Sequence, residues 1–240
     1  MLSNEQFVVY LFHPITISTF LMALLLVFII RVGKKYNGAD WGHPATNILD
    51  GWVRLYVKKY QRQGDFKIDL PANTPLILAA NHISSIDPFL LVAATDRPIR
   101  FMIAKEEYER PILNWMFKKT GCIPVDRGGR VEGAFRSAMR AINQGELVSI
   151  FPQGGIHCEE NQRPRIKQGI IKLSALTQCS ILPVRINGIS APGTMVACIV
   201  KRGHITMDVA PMVSPAQVQL NSFRSAISQW YIHQSENLEI

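Results

Sequence analysis

A chain of 240 residues has room for one catalytic domain and a short appendage, while a second independent core would be crowded. With 48% hydrophobic and 18% charged residues and a mean hydropathy of +0.09, it is too apolar to be intrinsically disordered. A formal charge of +8 and a pI near 9.5 suit nucleic acid, anionic lipid or phosphorylated substrates alike, so charge by itself selects none of them.

The first element is an apolar run over residues 7–30, FVVYLFHPITISTFLMALLLVFII, which holds no charged residue. A bilayer span needs about 20 mostly apolar residues. The uninterrupted part after Pro14 is slightly short, so a tilted span, a kinked helix and a re-entrant hairpin with residues 45–60 are all compatible with it. A cleaved signal peptide is disfavoured, because Glu5 and no Lys or Arg precede the run and no small-residue cleavage site follows it. Arg31, Lys34 and Lys35 follow directly, and the positive-inside rule then expects the rest of the chain on the cytoplasmic face. The next segment, NILDGWVRLYVKKYQRQ, offers either an amphipathic interfacial helix or an ordinary surface helix of the domain. These segments give a division into a membrane-anchoring helical region, residues 1–60, and a domain of residues 61–240.

Beyond residue 70 short apolar runs alternate with longer mixed segments, the pattern of an α/β domain. Strands are expected at 75–80, 99–103, 121–125, 147–151, 180–187, 195–201 and 204–210, and helices at 88–95, 105–119, 131–144, 167–178 and 215–234. The last two strands, with Gly203 between them, read as a hairpin, so the expected fold is α/β with a mixed, mostly parallel sheet flanked by helices and an N-terminal membrane helix. Cys122, Cys158, Cys179 and Cys198 are scattered without metal-ligand spacing, and no metal site is expected.

The stretch LILAANHISSIDPFLL, residues 76–91, runs an apolar strand into Asn81 and His82 and then into Asp87 and Pro88. Five residues apart on an unbroken helix, His82 and Asp87 would diverge by about 140°, so they meet only if residues 83–86 fold back. Pro88 suits the first helical position with Asp87 as N-cap. A carboxylate accepting from one imidazole nitrogen leaves the other as a base of defined tautomer, able to take a proton from an attacking hydroxyl. An isolated pair of this kind is more often structural.

What changes the balance is context. Asn-His-x-x-x-x-Asp resembles a motif of the lysophosphatidic acid and glycerol-3-phosphate acyltransferases, and FMIAKEEY (101–108), GCIPVDR (121–127), FPQGG (151–155) and LPVRING (182–188) resemble further family motifs in the family's order. The resemblance covers residues 70–190 and implies transfer of a fatty acyl group from acyl-CoA or acyl carrier protein to the free hydroxyl of lysophosphatidic acid or a similar lysophospholipid, in phospholipid synthesis at a membrane. It implies His82 and Asp87 as catalytic residues, and Asn81, Arg127, Gln153, Gly154, Gly155 and Lys105 on the substrate side. Arg127 matches the arginine associated with the acceptor phosphate, which a planar guanidinium can clamp through two parallel hydrogen bonds. Lys105 is a weaker candidate, since a lysine starting a helix is usually only solvated.

FPQGG departs from the family's usual Phe-Pro-Glu-Gly-Thr-Arg: Gln153 replaces the acid, and Gly155 and Ile156 replace threonine and arginine. Gln retains a hydrogen-bonding carbonyl but no charge. Paired glycines after a strand let backbone amides approach a phosphate or a developing oxyanion, the role expected of Gly154 and Gly155. The basic residues His157, Arg163, Arg165 and Lys167 crowd the region that follows. GISAPG, residues 188–193, has one residue too many for a serine-hydrolase elbow. The expected co-substrate is acyl-CoA or acyl carrier protein with no cofactor, and the expected partners are membrane lipid and the lysophospholipid acceptor, not nucleic acid. The alternatives are an acyltransferase for a different lysolipid or an amine lipid, and a membrane lipid-binding protein without catalysis.

Overall fold

The structure is a computed structural model that describes residues 4–72, 74–129, 131–157, 164–232 and 238, with side chains from residue 14 onward. Cys158 and Arg163 lie outside the described residues. The apolar run forms one continuous helix, α1 (Asn4–Tyr36), which includes Pro14 and ends in Lys34 and Lys35. The chain then turns into α2 (Pro44–Leu55), which starts with a proline whose missing N–H costs nothing at a helix start and whose cap is His43, accepting from the Ala45 N–H at 3.2 Å. A π-helical segment, Tyr56–Tyr60, continues it.

Helix α2 returns along α1. Gly33 and Gly51 meet at the crossing: a Cβ on Gly51 would lie 1.8 Å from the Gly33 carbonyl oxygen, so only glycine lets the two backbones approach this closely. One turn further, Trp52 donates its indole N–H to the Ile29 carbonyl and sets its ring edge-on to Phe28. The opposite face of α2 is tied to the domain. Arg54, buried, pairs with buried Asp50 at 2.6 Å and donates to the carbonyls of Ala93 and Thr95 at the end of α3 (Asp87–Ala94), where the helix dipole favours a cation. The segment expected as either an interfacial or a surface helix therefore wedges between α1 and the domain.

The domain is built on a six-stranded sheet in the order β3-β2-β4-β1-β5-β6, from β1 (Leu76–Ala80), β2 (Ile99–Ala104), β3 (Ile123–Val125), β4 (Leu147–Ile150), β5 (Ile181–Asn187) and β6 (Thr206–Val209). All neighbours are parallel except β5 and β6. Strand β1 is buried throughout, because both faces of the sheet are covered. Leu76, Leu78 and Ala80 point to one core with α3, and Ile77 and Ala79 point to the other, with α6 (Glu132–Asn143), α7 (Gly169–Thr177) and α10 (Phe223–Ile232).

The fold is thus the expected α/β arrangement, with two corrections. Residues 195–201 are not a strand: Ala197–Val200 form a short helix, α8, and β6 pairs antiparallel with β5, matching Ile186 to Met207. The sheet is mixed, but through β5 and not through a hairpin around Gly203. The expected helices 105–119 and 215–234 are each broken, into α4 (Lys105–Tyr108) with α5 (Pro111–Lys119), and α9 (Pro215–Val218) with α10. In the first case Pro111 lacks the N–H needed to continue the helix.

Candidate active site

Because β1 to β5 run parallel, their carboxyl ends share one edge, where open α/β sheets bind ligands. The edge collects Asn81 and His82 after β1, Lys105 after β2, Arg127 after β3 and Phe151 to Gly155 after β4. Followed across the paired strands, the register sets Ala104 level with Asn81 and pairs it with Val125. Lys105 and Arg127 therefore leave the sheet at the height of the histidine. Three inter-strand steps of about 4.8 Å separate β3 from β1, about 14 Å in all.

Residues 83–86 fold back, and His82 Nδ1 lies 2.8 Å from Asp87 Oδ2. Asp87 is fully buried and the His82 side chain 18% exposed, so the acid is sealed and the imidazole edge is reachable. The same carboxylate accepts from the Ile83 and Ser84 amides at 2.7 and 2.9 Å and from the Ser84 hydroxyl at 2.6 Å. Here the structure differs from the expected N-cap: Asp87 is the first helical residue, and its carboxylate reaches back into the loop, not forward to the helix amides. One buried acid thereby organises the loop and orients the ring. Four donors converge on the carboxylate, and as an acceptor it takes the proton on Nδ1. Nε2 is left as the basic nitrogen.

Three supports of the histidine were not singled out in the sequence. Phe151 stacks on the imidazole with centroids 4.2 Å apart and planes 19° from parallel, and Phe101 stacks behind it. Ser84, fully buried, anchors the acid. The loop after β5 closes onto residues 83–86, as the Gly193 N–H donates to the Ile83 carbonyl at 2.8 Å and the Ser85 hydroxyl to the Met195 carbonyl at 2.7 Å. GISAPG is thus a covering loop and not an elbow. An aromatic opening the FPQGG run was the one visible sign of the stacking partner.

Gln153 holds the histidine's main chain, its side-chain carbonyl accepting from the His82 N–H, while His157 N–H donates to the His82 carbonyl at 2.7 Å. Gly154 adopts φ +78° and its N–H closes a turn onto Phe151 O at 3.0 Å. That amide is spent, which corrects its expected part in meeting an oxyanion. Among the described residues the Gly155 N–H has no acceptor. Asn81 is likewise corrected: it is buried, its amide donates to Ile186 O at 2.9 Å and its carbonyl accepts from Ile186 N–H at 2.7 Å, so it clamps β1 to β5. Lys105 is half exposed and sits 3.9 Å from Glu109, a surface pair of small energetic weight. Arg127 is exposed on the β3 loop, whose turn is held by Gly128 N–H donating to Asp126 at 3.1 Å.

A buried carboxylate orienting a histidine at the carboxyl edge of a parallel sheet is an arrangement suited to proton transfer, and the same chain carries a helix long and apolar enough to cross a membrane. Residues 64–187, just over half of the chain, match the family model described as Acyltransferase, and the chain belongs to that family. It is an acyltransferase.

Similar proteins include a probable 1-acyl-sn-glycerol-3-phosphate acyltransferase of Mycoplasma genitalium, 26% identical over 73% of this chain and 68% of that protein. The 1-acyl-sn-glycerol-3-phosphate acyltransferase of Bacillus subtilis is 25% identical over 60% of this chain and 66% of its own length. An N-acylphosphatidylethanolamine synthase of Arabidopsis thaliana is 27% identical over 48% of this chain and 44% of its own. The fold is shared with the lysophosphatidic acid acyltransferase PlsC of Thermotoga maritima, with a TM-score of 0.58, 17% identity and 78% of each chain covered. The resemblance drawn from the motifs thus holds.

Proposed function

We propose that the chain transfers a fatty acyl group from acyl-CoA or acyl carrier protein to the free hydroxyl of lysophosphatidic acid or a similar lysophospholipid, at the cytoplasmic face of a membrane. The observation that carries this is the 2.8 Å contact between His82 Nδ1 and a fully buried Asp87 at the rim of the sheet. Nε2 takes the proton of the acceptor hydroxyl as its oxygen bonds to the thioester carbonyl carbon. The resulting oxyanion meets the Gly155 amide. Collapse breaks the carbon–sulfur bond, and the departing thiolate receives the proton back from Nε2. Arg127 swings over the cleft to hold the acceptor's phosphate. Arg31, Lys34 and Lys35 at the end of α1 favour the cytoplasmic orientation.

The relatives named as 1-acyl-sn-glycerol-3-phosphate acyltransferases support this acceptor. A second acceptor class, an amine-bearing phospholipid, is favoured by the similarity to the Arabidopsis synthase and by Gln153 standing where the family carries an acid. Purified protein is to be assayed with both donors against lysophosphatidic acid, other lysolipids and phosphatidylethanolamine, alongside His82→Ala. Transfer to lysophosphatidic acid that vanishes in the variant supports the reading. Turnover retained without the imidazole removes His82 from the mechanism, and transfer to the amine alone replaces the acceptor.

A further inference from the structure

Helix α1 is not the sole apolar surface of this chain. On α5, Ile112 is 89% exposed and Trp115 48%; on and beside α8, Val196 is 67% and Val200 62% exposed. Both ridges belong to the carboxyl edge of the sheet, α5 between β2 and β3 and α8 after β5. They lie at the two ends of the helix that packs on α1. At the start of α2, the His43 ring sits edge-on to Trp115, with centroids 6.3 Å apart. Past its other end, the Tyr56 and Tyr60 hydroxyls donate to the carbonyls of Ile199 and Val200. The ridges therefore flank the two ends of α2, and the His82 loop adjoins the α8 ridge, where Ser85 is bonded to Met195.

Each ridge has basic neighbours. Lys118 and Lys119 end α5, and Lys201 and Arg202 follow α8, all four exposed. Apolar tips flanked by cations, with a tryptophan among them, are the composition of a surface that inserts shallowly among anionic headgroups. A second protein would not call for this distribution, because the same cations would face a desolvated interface.

We propose that α5 and α8 are two membrane-inserting ridges, which seat the domain on an anionic phospholipid monolayer so that the cleft holding His82 opens onto lipid. The inference rests on the membrane association of α1 and adds to it a defined orientation of the domain. Its consequence for the reaction is that an acceptor reaches the histidine without leaving the bilayer.

The test uses the full chain in a Cys158→Ser background, whose remaining three cysteines are buried. An environment-sensitive fluorophore is attached at Ile112→Cys, Val200→Cys, Leu24→Cys on α1, or Leu176→Cys near the end of α7, which leads back to the amino edge of the sheet. Each protein is reconstituted into phosphatidylcholine–phosphatidylglycerol vesicles and exposed to brominated lipid and to aqueous iodide. Labels at 112, 200 and 24 are expected to be quenched by bromolipid and to lose iodide quenching, while 176 keeps iodide access. If 24 is quenched by lipid and 112 and 200 remain open to iodide, the ridges do not insert and the proposal falls alone. If 24 is not quenched either, the membrane reading falls with it. Shielding of 112 and 200 from iodide without bromolipid quenching makes the ridges a protein interface and overturns the proposal.

Discussion

Replacing Asp87 with Asn removes one negative charge and almost no volume. The side chain is fully buried, and an amide oxygen at Oδ2 still accepts from His82 Nδ1 and from the Ile83 and Ser84 amides. The Ser84 hydroxyl, which donates to Oδ1, can reverse and accept from the new NH2, so the fold should lose only about 1 kcal/mol. The reaction should lose much more. When Nε2 takes the hydroxyl proton, the ring becomes a cation beside the acid, and two unit charges about 4 Å apart at an effective dielectric near 20 attract by about 4 kcal/mol. That corresponds to a fall in kcat on the order of a thousandfold. The figure is a floor, because an amide turned the other way would offer N–H to Nδ1 and move the ring proton onto the nitrogen that must act as base. Steady-state kinetics in detergent, with urea unfolding measured beside them, separates the two effects. A fall in kcat of less than about tenfold at unchanged stability would refute the role assigned to the carboxylate.

Gln153→Glu should keep the acceptor for the His82 N–H but set a carboxylate beside the imidazole, raising the ring's affinity for a proton; the acidic limb of the kcat/KM profile then moves to higher pH, and an unmoved limb contradicts the contact. Asp50→Ala leaves Arg54 as a buried cation without its acid, an expected loss of about 3–5 kcal/mol in unfolding free energy, whereas the paired Asp50→Leu/Arg54→Met change should lose far less. Burial pushes the Cys179 thiol up to about 11, so iodoacetamide at pH 8 should leave it unlabelled in the folded protein and label it in denaturant, as read by mass spectrometry; labelling of the folded chain would mean that α7 opens.

Local order carried much of this molecule. The runs at 76–80, 99–104, 147–150 and 181–187 are apolar enough to be strands covered on both faces, and a Pro or Gly within two residues of at least one end bounds each. Asn-His-x-x-x-x-Asp after the first strand was legible for the same reason, since a strand tip followed by a proline-started helix leaves a short loop in which two side chains can meet. The hairpin around Gly203 misled because two β-branched runs flanking a glycine look alike whether they pair with each other or not. Only the competition for the free edge of β5, and the pull of Gln61 and Tyr56 on the carbonyls of residues 198, 199 and 201, decided that the first run would be a helix.

Residue order by itself determined the class of fold, the membrane-directed N-terminus and the identity of the histidine and its acid, because each depends on periodicity, length or close neighbours in the chain. Tertiary structure alone decided that Asn81 clamps two strands, that Gln153 holds the main chain of His82 while Phe151 stacks on its ring, that the Gly154 amide is already spent and that Arg127 stands level with the histidine from three strands away. Those are contacts between residues tens of positions apart. Hydrogen-bond capacity is finite and is allotted only when the sheet assembles, so no stretch of sequence records which donor an acceptor will take.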